Sequence, residues 1–211
     1  MIPAVADQGV AIYNDVFCEN GYFNAEFSRK ILLAGKKYGL IPRIHADEFE
    51  YSGAAELSAE LGALSADHLI KPSENGLEDM AQAGVIATLL PGTTFFLGQT
   101  TYAPYKKMRD IGLEVSLATD FNPGSCYIQS MGFIISLACM YLKMKPLDAL
   151  KAATYTSAKS LDLHNEVGSI EPGKKADMIL WDLKEYLEIP YCIINHPISQ
   201  VIKSGKPVDW S

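Results

Sequence analysis

Three short segments of the 211-residue chain carry side chains whose types and spacing suit hydrolytic chemistry. Ile41-Pro42-Arg43-Ile44-His45-Ala46-Asp47-Glu48 ends in a histidine with an acid three residues on, and Ser65-Ala66-Asp67-His68 ends in a second histidine. Ser116-Leu117-Ala118-Thr119-Asp120 ends in an aspartate and runs on into Phe121-Asn122-Pro123-Gly124-Ser125. The chain has four histidines, and two of them stand in these segments. Neutral imidazole and carboxylate together are ligands for Zn²⁺ or Fe²⁺, and either ion activates a water near neutral pH. Each residue also has a plainer use. A histidine at a strand end can be a hydrogen-bonded rim residue, and an aspartate before Asn-Pro-Gly can form the turn or cap a helix. His164 and His196 fall outside such segments, and His196-Pro197 reads as a turn, so neither is assigned chemistry. The chain contains no Walker loop, no G-x-G-x-x-G and no G-x-S-x-G elbow, which argues against nucleotide binding and serine hydrolysis.

The elements that must position these residues read as parallel βα units, since short apolar runs alternate with longer segments of helical period. Strands are predicted at Asp15 to Cys18, Leu40 to Ala46, Leu64 to Ile70, Val85 to Leu90 and Leu113 to Thr119. In such architectures reactive side chains collect where the strands end, because the loops there converge on one rim. Between the strands, a helix with Phe27, Ile31, Ala34 and Tyr38 inward closes at Gly39. A second is capped by Ser52 and stops at Gly62, with Leu57 and Leu61 inward. A third carries Leu77, Met80 and Ala81 and ends at Gly84, and a fourth enters through Pro104 with Tyr105, Met108 and Ile111 inward. An apolar helix from about Tyr127 to Met144, with Phe133, Ile134 and Leu137 in the core, precedes one opened by Pro146 with Leu150, Ala153 and Ala158 inward. After about Leu163 the texture turns to Gly/Pro turns and alternation. Ala176 to Trp181 reads as a strand, and Ser199 to Lys203 with the Gly205 turn as a hairpin. The expected domains are therefore an α/β body over residues 1–163 and a small β-rich segment over residues 164–211.

Composition narrows the partners. Eighteen Lys and Arg against 25 Asp and Glu give a formal charge of −7, which offers no basic field to nucleic acid or anionic lipid. The most apolar stretch, Met131 to Leu142, falls short of the roughly 20 residues of a spanning helix, and nothing near Met1 has the make-up of a secretory signal. A cytoplasmic protein with no nucleic-acid and no membrane partner is expected. The four cysteines, Cys18, Cys126, Cys139 and Cys192, stand far apart without a C-x-x-C pair, so they are expected as reduced thiols.

The three rim segments, in this order and spacing, resemble the amidohydrolase superfamily, whose (β/α) barrels end one strand in a metal-binding His, the next in a second His and the last in a metal-binding Asp, and are flanked by a β-sandwich. Gly168-Ser169-Ile170-Glu171-Pro172-Gly173-Lys174-Lys175-Ala176-Asp177-Met178-Ile179-Leu180-Trp181-Asp182 looks like the return into that sandwich. More narrowly, Val16-Phe17-Cys18-Glu19, His45-Ala46-Asp47-Glu48-Phe49, Ser65-Ala66-Asp67-His68, Leu89-Leu90-Pro91-Gly92 and Ala118 to Ser125 resemble the imidazolonepropionase family of histidine degradation, from about Met1 to about Val208. The resemblance implies a partial TIM-like barrel, about strands 4 to 8 of 8, with a C-terminal sandwich segment. It implies one divalent ion, zinc or iron, with His45 and Asp120 as ligands. Glu48 would hydrogen-bond the substrate ring, and His68 would assist proton transfer or polarise the scissile carbonyl. Asn122, Gly124 and Ser125 would hold substrate or product. The implied reaction is hydrolysis of the cyclic amide of 4-imidazolone-5-propanoate to N-formimidoyl-L-glutamate.

The departures matter equally. Members of the family begin with part of the sandwich and a first barrel strand ending in His-x-His, and no histidine precedes His45 here. Roughly the N-terminal half is therefore expected to be missing, together with two ligands and an arginine for the propionate, and an arc of five strands leaves an edge unpaired. The chain would then need that half, or a second copy of itself, as partner, and would be inactive alone. The alternatives are another cyclic amidohydrolase or deaminase of the same superfamily, or a non-catalytic α/β module that oligomerises through its open edge.

Overall fold

Successive side chains of a strand point to opposite faces of its sheet. In the computed structural model, which describes residues 1–209, this alternation gives one sheet an apolar face and a polar one. The chain divides into two compact units, one of residues 1–89 with 101–115, the other of residues 90–100 with 116 onward. After a short helix, Ile2–Ala6, the first unit alternates β1 (Tyr13–Cys18), helix Ala25–Lys36, β2 (Ile41–Ala46), helix Ala54–Leu61, β3 (Ser65–His68), helix Glu74–Ala83 and β4 (Ile86–Leu89). Helix Tyr105–Asp110 leads to β5 (Val115–Leu117), and the sheet order is β1-β2-β3-β4-β5. The pairs from β1 to β4 are parallel. All five strands fall where the sequence places them, and their succession in chain order is that of an arc of a (β/α) barrel.

Register defines the two faces. Asp15 lies beside Arg43 and Arg43 beside Ser65; Phe17 lies beside His45, and His45 beside Asp67. The other face carries Val16, Cys18, Ile44, Ala46, Ala66 and Ala87, all buried, and forms the core with the helices.

The helices form for local reasons, but their buried stripes are set by close approach. In Ala25–Lys36, Asn24 accepts the Phe27 N–H as N-cap at 3.0 Å, and Gly39, at φ +80°, closes the end while the Leu40 N–H reaches the Gly35 carbonyl at 3.1 Å. Ser28, Leu32 and Gly35 are buried, whereas Phe27 and Tyr38, expected inward, are exposed. A Cβ on Gly35 would lie 2.2 Å from Asn14 Oδ1, so the helix meets β1 along its small residues rather than its large ones. The expected N-cap of the next helix, Ser52, is corrected: the N-cap is Gly53 at φ +75°, and the carboxylate of Asp47 accepts from Ala55 N–H at 3.0 Å and from Ala54 N–H at 3.4 Å. Gly62 and Gly84 take left-handed conformations at the ends of their helices as expected. Tyr105 and Met108 are buried, but Ile111 stays at the surface.

The second unit holds helices Pro91–Phe96, Met131–Leu137, Pro146–Ala153 and Tyr155–Lys159, with a π-helical turn at Ala138–Leu142 and a 3₁₀ turn at Tyr186–Glu188. The apolar helix begins at Met131 rather than Tyr127, where Ser130 is the N-cap and its hydroxyl accepts the Phe133 N–H at 3.2 Å. Ile134 and Leu137 are buried as expected, and Phe133 is half-buried against Phe95. After Pro146 the buried positions are Ala149, Ala152, Thr156 and Ala158, with Leu150 and Ala153 half-buried; a break at Thr154 splits the predicted helix in two. β6 (Met178–Trp181), β7 (Ile198–Lys203) and β8 (Lys206–Pro207) form an antiparallel sheet in that order, with the predicted turn at Gly205. All four cysteines are free thiols. Among the described residues no helix is long and apolar enough to cross a membrane.

Candidate active site

The sequence-predicted residues of the first unit come together at the ends of β2 and β3. His45 stands at the end of β2 with its ring 5.9 Å from that of Phe17 and 5.5 Å from that of His68, which ends β3. Its Nδ1 lies 2.9 Å from Oδ2 of Asp15 on β1. The contact is an ion-pair distance, with the ring N–H direction off the line of an ideal hydrogen bond. Glu48 and His68 are both buried, with Oε2 and Nε2 3.6 Å apart, too far for a direct hydrogen bond. Burial, helped by the neighbouring His45, lowers the His68 pKa from 6.5 to about 3, so its imidazole is neutral at any ordinary pH. His68 also adopts φ +74°, and its Nδ1 has no hydrogen-bond partner among the described residues. A buried ring nitrogen without a partner is a group waiting for one.

A frame of charged groups surrounds this cluster. Buried Glu19, just past β1, accepts the backbone N–H of Phe49 at 2.9 Å and so fixes the chain next to Glu48. Asp47 accepts the Ser52 N–H at 2.7 Å, and the single proton of the Ser52 hydroxyl is shared between Asp47 Oδ1 and the Cys18 carbonyl, each at 2.9 Å. Burial raises the Asp47 pKa against these hydrogen bonds. On the sheet face, Arg43 faces Asp67 at 3.5 Å, and Ser65 donates its hydroxyl to Asp67 at 2.8 Å. Burial raises the Asp67 pKa, and Arg43 opposes that rise. An open cleft of about 560 Å³ in the same unit is lined by Phe49, Tyr51, Ile70, Pro72, Leu77 and Lys107 among others, but not by His45, Glu48 or His68.

In the second unit Asp120 sits at φ +53°, half-buried, and its Oδ2 accepts the Thr93 hydroxyl at 2.5 Å. The Leu89-Leu90-Pro91-Gly92 motif finds its reason here. Pro91 opens the helix that carries Thr93, and a Cβ on Gly92 would lie 2.7 Å from Ile134 Cδ1 and 3.3 Å from Cys126 Sγ, so only glycine lets that helix approach the loop. Asn122 Oδ1 accepts the N–H of Gly124 at 2.8 Å and of Ser125 at 2.7 Å, and its amide donates to the Asp120 carbonyl at 2.7 Å. The Asn122 side chain is thus engaged in shaping its own turn, while Gly124 is exposed and Ser125 half-buried.

Sequence reading missed Asp15, Glu19, Asp47 and Thr93. For Asp15 a signal existed: with Arg43 and Asp67 it places charge at alternate positions of otherwise apolar strands. No comparable pattern marks Thr93.

Comparison with known proteins fits this arrangement. The model of the amidohydrolase family matches residues 43–208, which include His45, Glu48, His68 and Asp120. The chain belongs to the amidohydrolase family. Among relatives of this amidohydrolase, the imidazolonepropionase of Geobacillus thermodenitrificans is 50% identical over 209 residues, covering 99% of this chain and 49% of that protein. That of Brevibacillus brevis is 49% identical over 206 residues, covering 97% and 48%. The amidohydrolase chain therefore spans about half the length of the curated relatives it matches. Its fold is also that of a zinc-bound adenosine deaminase from Xanthomonas campestris, with TM-score 0.80 and 19% identity over 98% of this chain and 54% of that one. An atrazine chlorohydrolase variant from Arthrobacter aurescens, complexed with zinc and atraton, gives TM-score 0.77 and 17% identity over 98% and 55%.

Proposed function

We propose that this amidohydrolase chain supplies part of a cytoplasmic imidazolonepropionase, which hydrolyses the cyclic amide of 4-imidazolone-5-propanoate to N-formimidoyl-L-glutamate. The observation that carries the reading is the identity of about half to imidazolonepropionases along 99% of the chain. The rim supports it, since His45, Glu48 and His68 lie together at the ends of β2 and β3.

In this proposal His45 and Asp120 are ligands of one divalent ion, zinc or iron. Their chemistry fits such a role: one imidazole and one carboxylate, each with one heteroatom already engaged, by Asp15 and by Thr93. Among the described residues no group of three or more His, Cys, Asp or Glu is placed to hold an ion. Catalytic zinc ordinarily has three protein ligands, so further ones come from the upstream region of the relatives or from a second copy. When bound, the ion supplies Lewis acidity that makes a water nucleophilic near neutral pH.

The chain's own residues do the rest. Neutral His68 hydrogen-bonds at the scissile amide or relays its proton, and buried Glu48 binds the substrate ring. The Asn122-Pro123-Gly124-Ser125 turn holds substrate or product through Asn122, Gly124 and Ser125. Residues 1–163 form the barrel part and residues 164–211 the sandwich segment; β1 to β5 all precede Leu163, and β6 to β8 all follow it.

The test is loss of imidazolone absorbance with Zn²⁺ or Fe²⁺ supplied. The chain alone is expected to give no turnover, and mixing with the upstream half of the Geobacillus relative is expected to restore it. Turnover by the chain alone would overturn the half-site reading, and no turnover by a folded mixture would overturn the activity.

A further inference from the structure

We propose that Asp15 is a positioning residue for His45, holding its ring as the Nδ1–H tautomer so that Nε2 carries the lone pair. The proposal deepens the reading of His45 as a ligand and rests on three observations. First, the carboxylate oxygen Oδ2 and ring nitrogen Nδ1 are 2.9 Å apart. The negative carboxylate at that distance disfavours a bare, electron-rich ring nitrogen and favours one that carries the proton, even with the N–H off the ideal line. Second, Asp15 is aimed. Its Oδ1 accepts the Val16 backbone N–H at 2.8 Å, which pins the carboxylate and turns Oδ2 across to β2. Third, the natural competitor is occupied. Arg43 is the register partner of Asp15, but its guanidinium faces Asp67 at 3.5 Å and lies 5.6 Å from the Tyr13 ring.

A histidine ligand whose far nitrogen donates to a carboxylate has its tautomer and ring direction fixed and gains basicity at the near nitrogen. Phe17 and His68 complete the setting, with rings 5.9 and 5.5 Å from that of His45. The order of parts is one strand per part: Asp15 on β1 orients His45 on β2, beside His68 on β3.

The experiment is ¹⁵N NMR of the imidazole nitrogens in the metal-free chain, at an alkaline pH where the two ring-nitrogen shifts themselves show the ring to be neutral. In the unsubstituted chain the bare-nitrogen resonance of His45 is expected at Nε2. Asp15→Leu removes the acceptor and should return His45 to the Nε2–H form that an unconstrained imidazole favours. Asp15→Asn keeps an acceptor oxygen and should retain Nδ1–H, a rescue that a merely space-filling role would not give. Backbone amide spectra check that each variant is folded. A bare Nδ1 in the unsubstituted chain, or an unchanged tautomer in folded Asp15→Leu, would overturn the proposal. Titration with Zn²⁺ separates it from the ligand reading. Zinc should move the His45 Nε2 resonance, and Asp15→Leu should weaken that binding by about 10- to 100-fold. A Nδ1–H tautomer left untouched by saturating zinc would sustain the positioning by Asp15 and sink the ligand role of His45.

Discussion

The rim at the ends of β2 and β3 and the loop after β5 solve the same problem by different means. At the rim, the orienting groups come from distant parts of the sequence: Asp15 lies against His45, and Glu19 fixes the chain beside Glu48. These contacts exist only once parallel strands are in register, and most of the groups are buried. In the loop, Asn122 holds Gly124 and Ser125 by a turn closed within a few residues, while the Thr93 hydroxyl reaches Asp120 from further along the chain. The rim is thus a product of the sheet and the loop largely a product of its own sequence. Damage to the rim's scaffolding should cost global stability, whereas damage to the loop should stay local.

Substitutions can sharpen or break this contrast. The largest effect is expected in catalysis: with the upstream half supplied, Glu48→Gln should lower kcat by about 10²- to 10⁴-fold while metal content stays stoichiometric. Equal loss of metal and rate would place Glu48 among the ligands.

Next in size is Asp47→Ala, which strips the N–H groups of Ser52, Ala54 and Ala55 of their acceptor, while the Ser52 hydroxyl keeps the Cys18 carbonyl. Each buried donor left unpaired costs about 1–3 kcal/mol, so denaturant unfolding should show a loss of at least about 2 kcal/mol.

The pH dependence of stability comes third. Because the folded pKa of His68 is about 3 against 6.5 for an unperturbed ring, the unfolded chain binds the extra proton between those values. Its contribution is therefore complete above pH 6.5 and is lost as pH falls toward 3, with a slope of up to about 1.4 kcal/mol per unit. Asp47 and Asp67, raised by burial, act with the opposite sign above 3.8, where stability falls as pH rises through the window. The stability difference between the unsubstituted chain and His68→Gln isolates the histidine and should narrow from pH 7 to pH 4. A constant difference would show that His68 is not buried in its neutral form.

The smallest effect is that of Asn122→Ala, which should cost about 1 kcal/mol, since the freed amides can turn to water. A loss as large as that of Asp47→Ala would erase the distinction between the two regions.

The same contrast explains what could be read from sequence. Strands, the Gly39, Gly62 and Gly84 stops and the Gly205 hairpin are legible because each is encoded within a few neighbouring residues. His45, His68 and Asp120 stand out as candidates because each closes or follows a predicted strand, and the structure brings His45 and His68 together at one rim. The buried stripe of Ala25–Lys36 is not, because Gly35 and Ser28 face β1 through close approach, which hydrophobic spacing cannot express. Ser52 has the composition of a cap, but the carboxylate of Asp47 reaches the same helix across a folded-back loop. Asp15 and Thr93 act through pairing that only the assembled sheet or the Gly92 approach creates.

The most direct test of the division of labour is the metal content of the complemented protein in three variants, His45→Ala, Asp120→Ala and Glu48→Gln, measured alongside turnover. The two ligand variants are expected to lose bound metal and activity together while remaining folded, and Glu48→Gln to lose activity alone. Stoichiometric metal with near-normal turnover in Asp120→Ala would contradict the account.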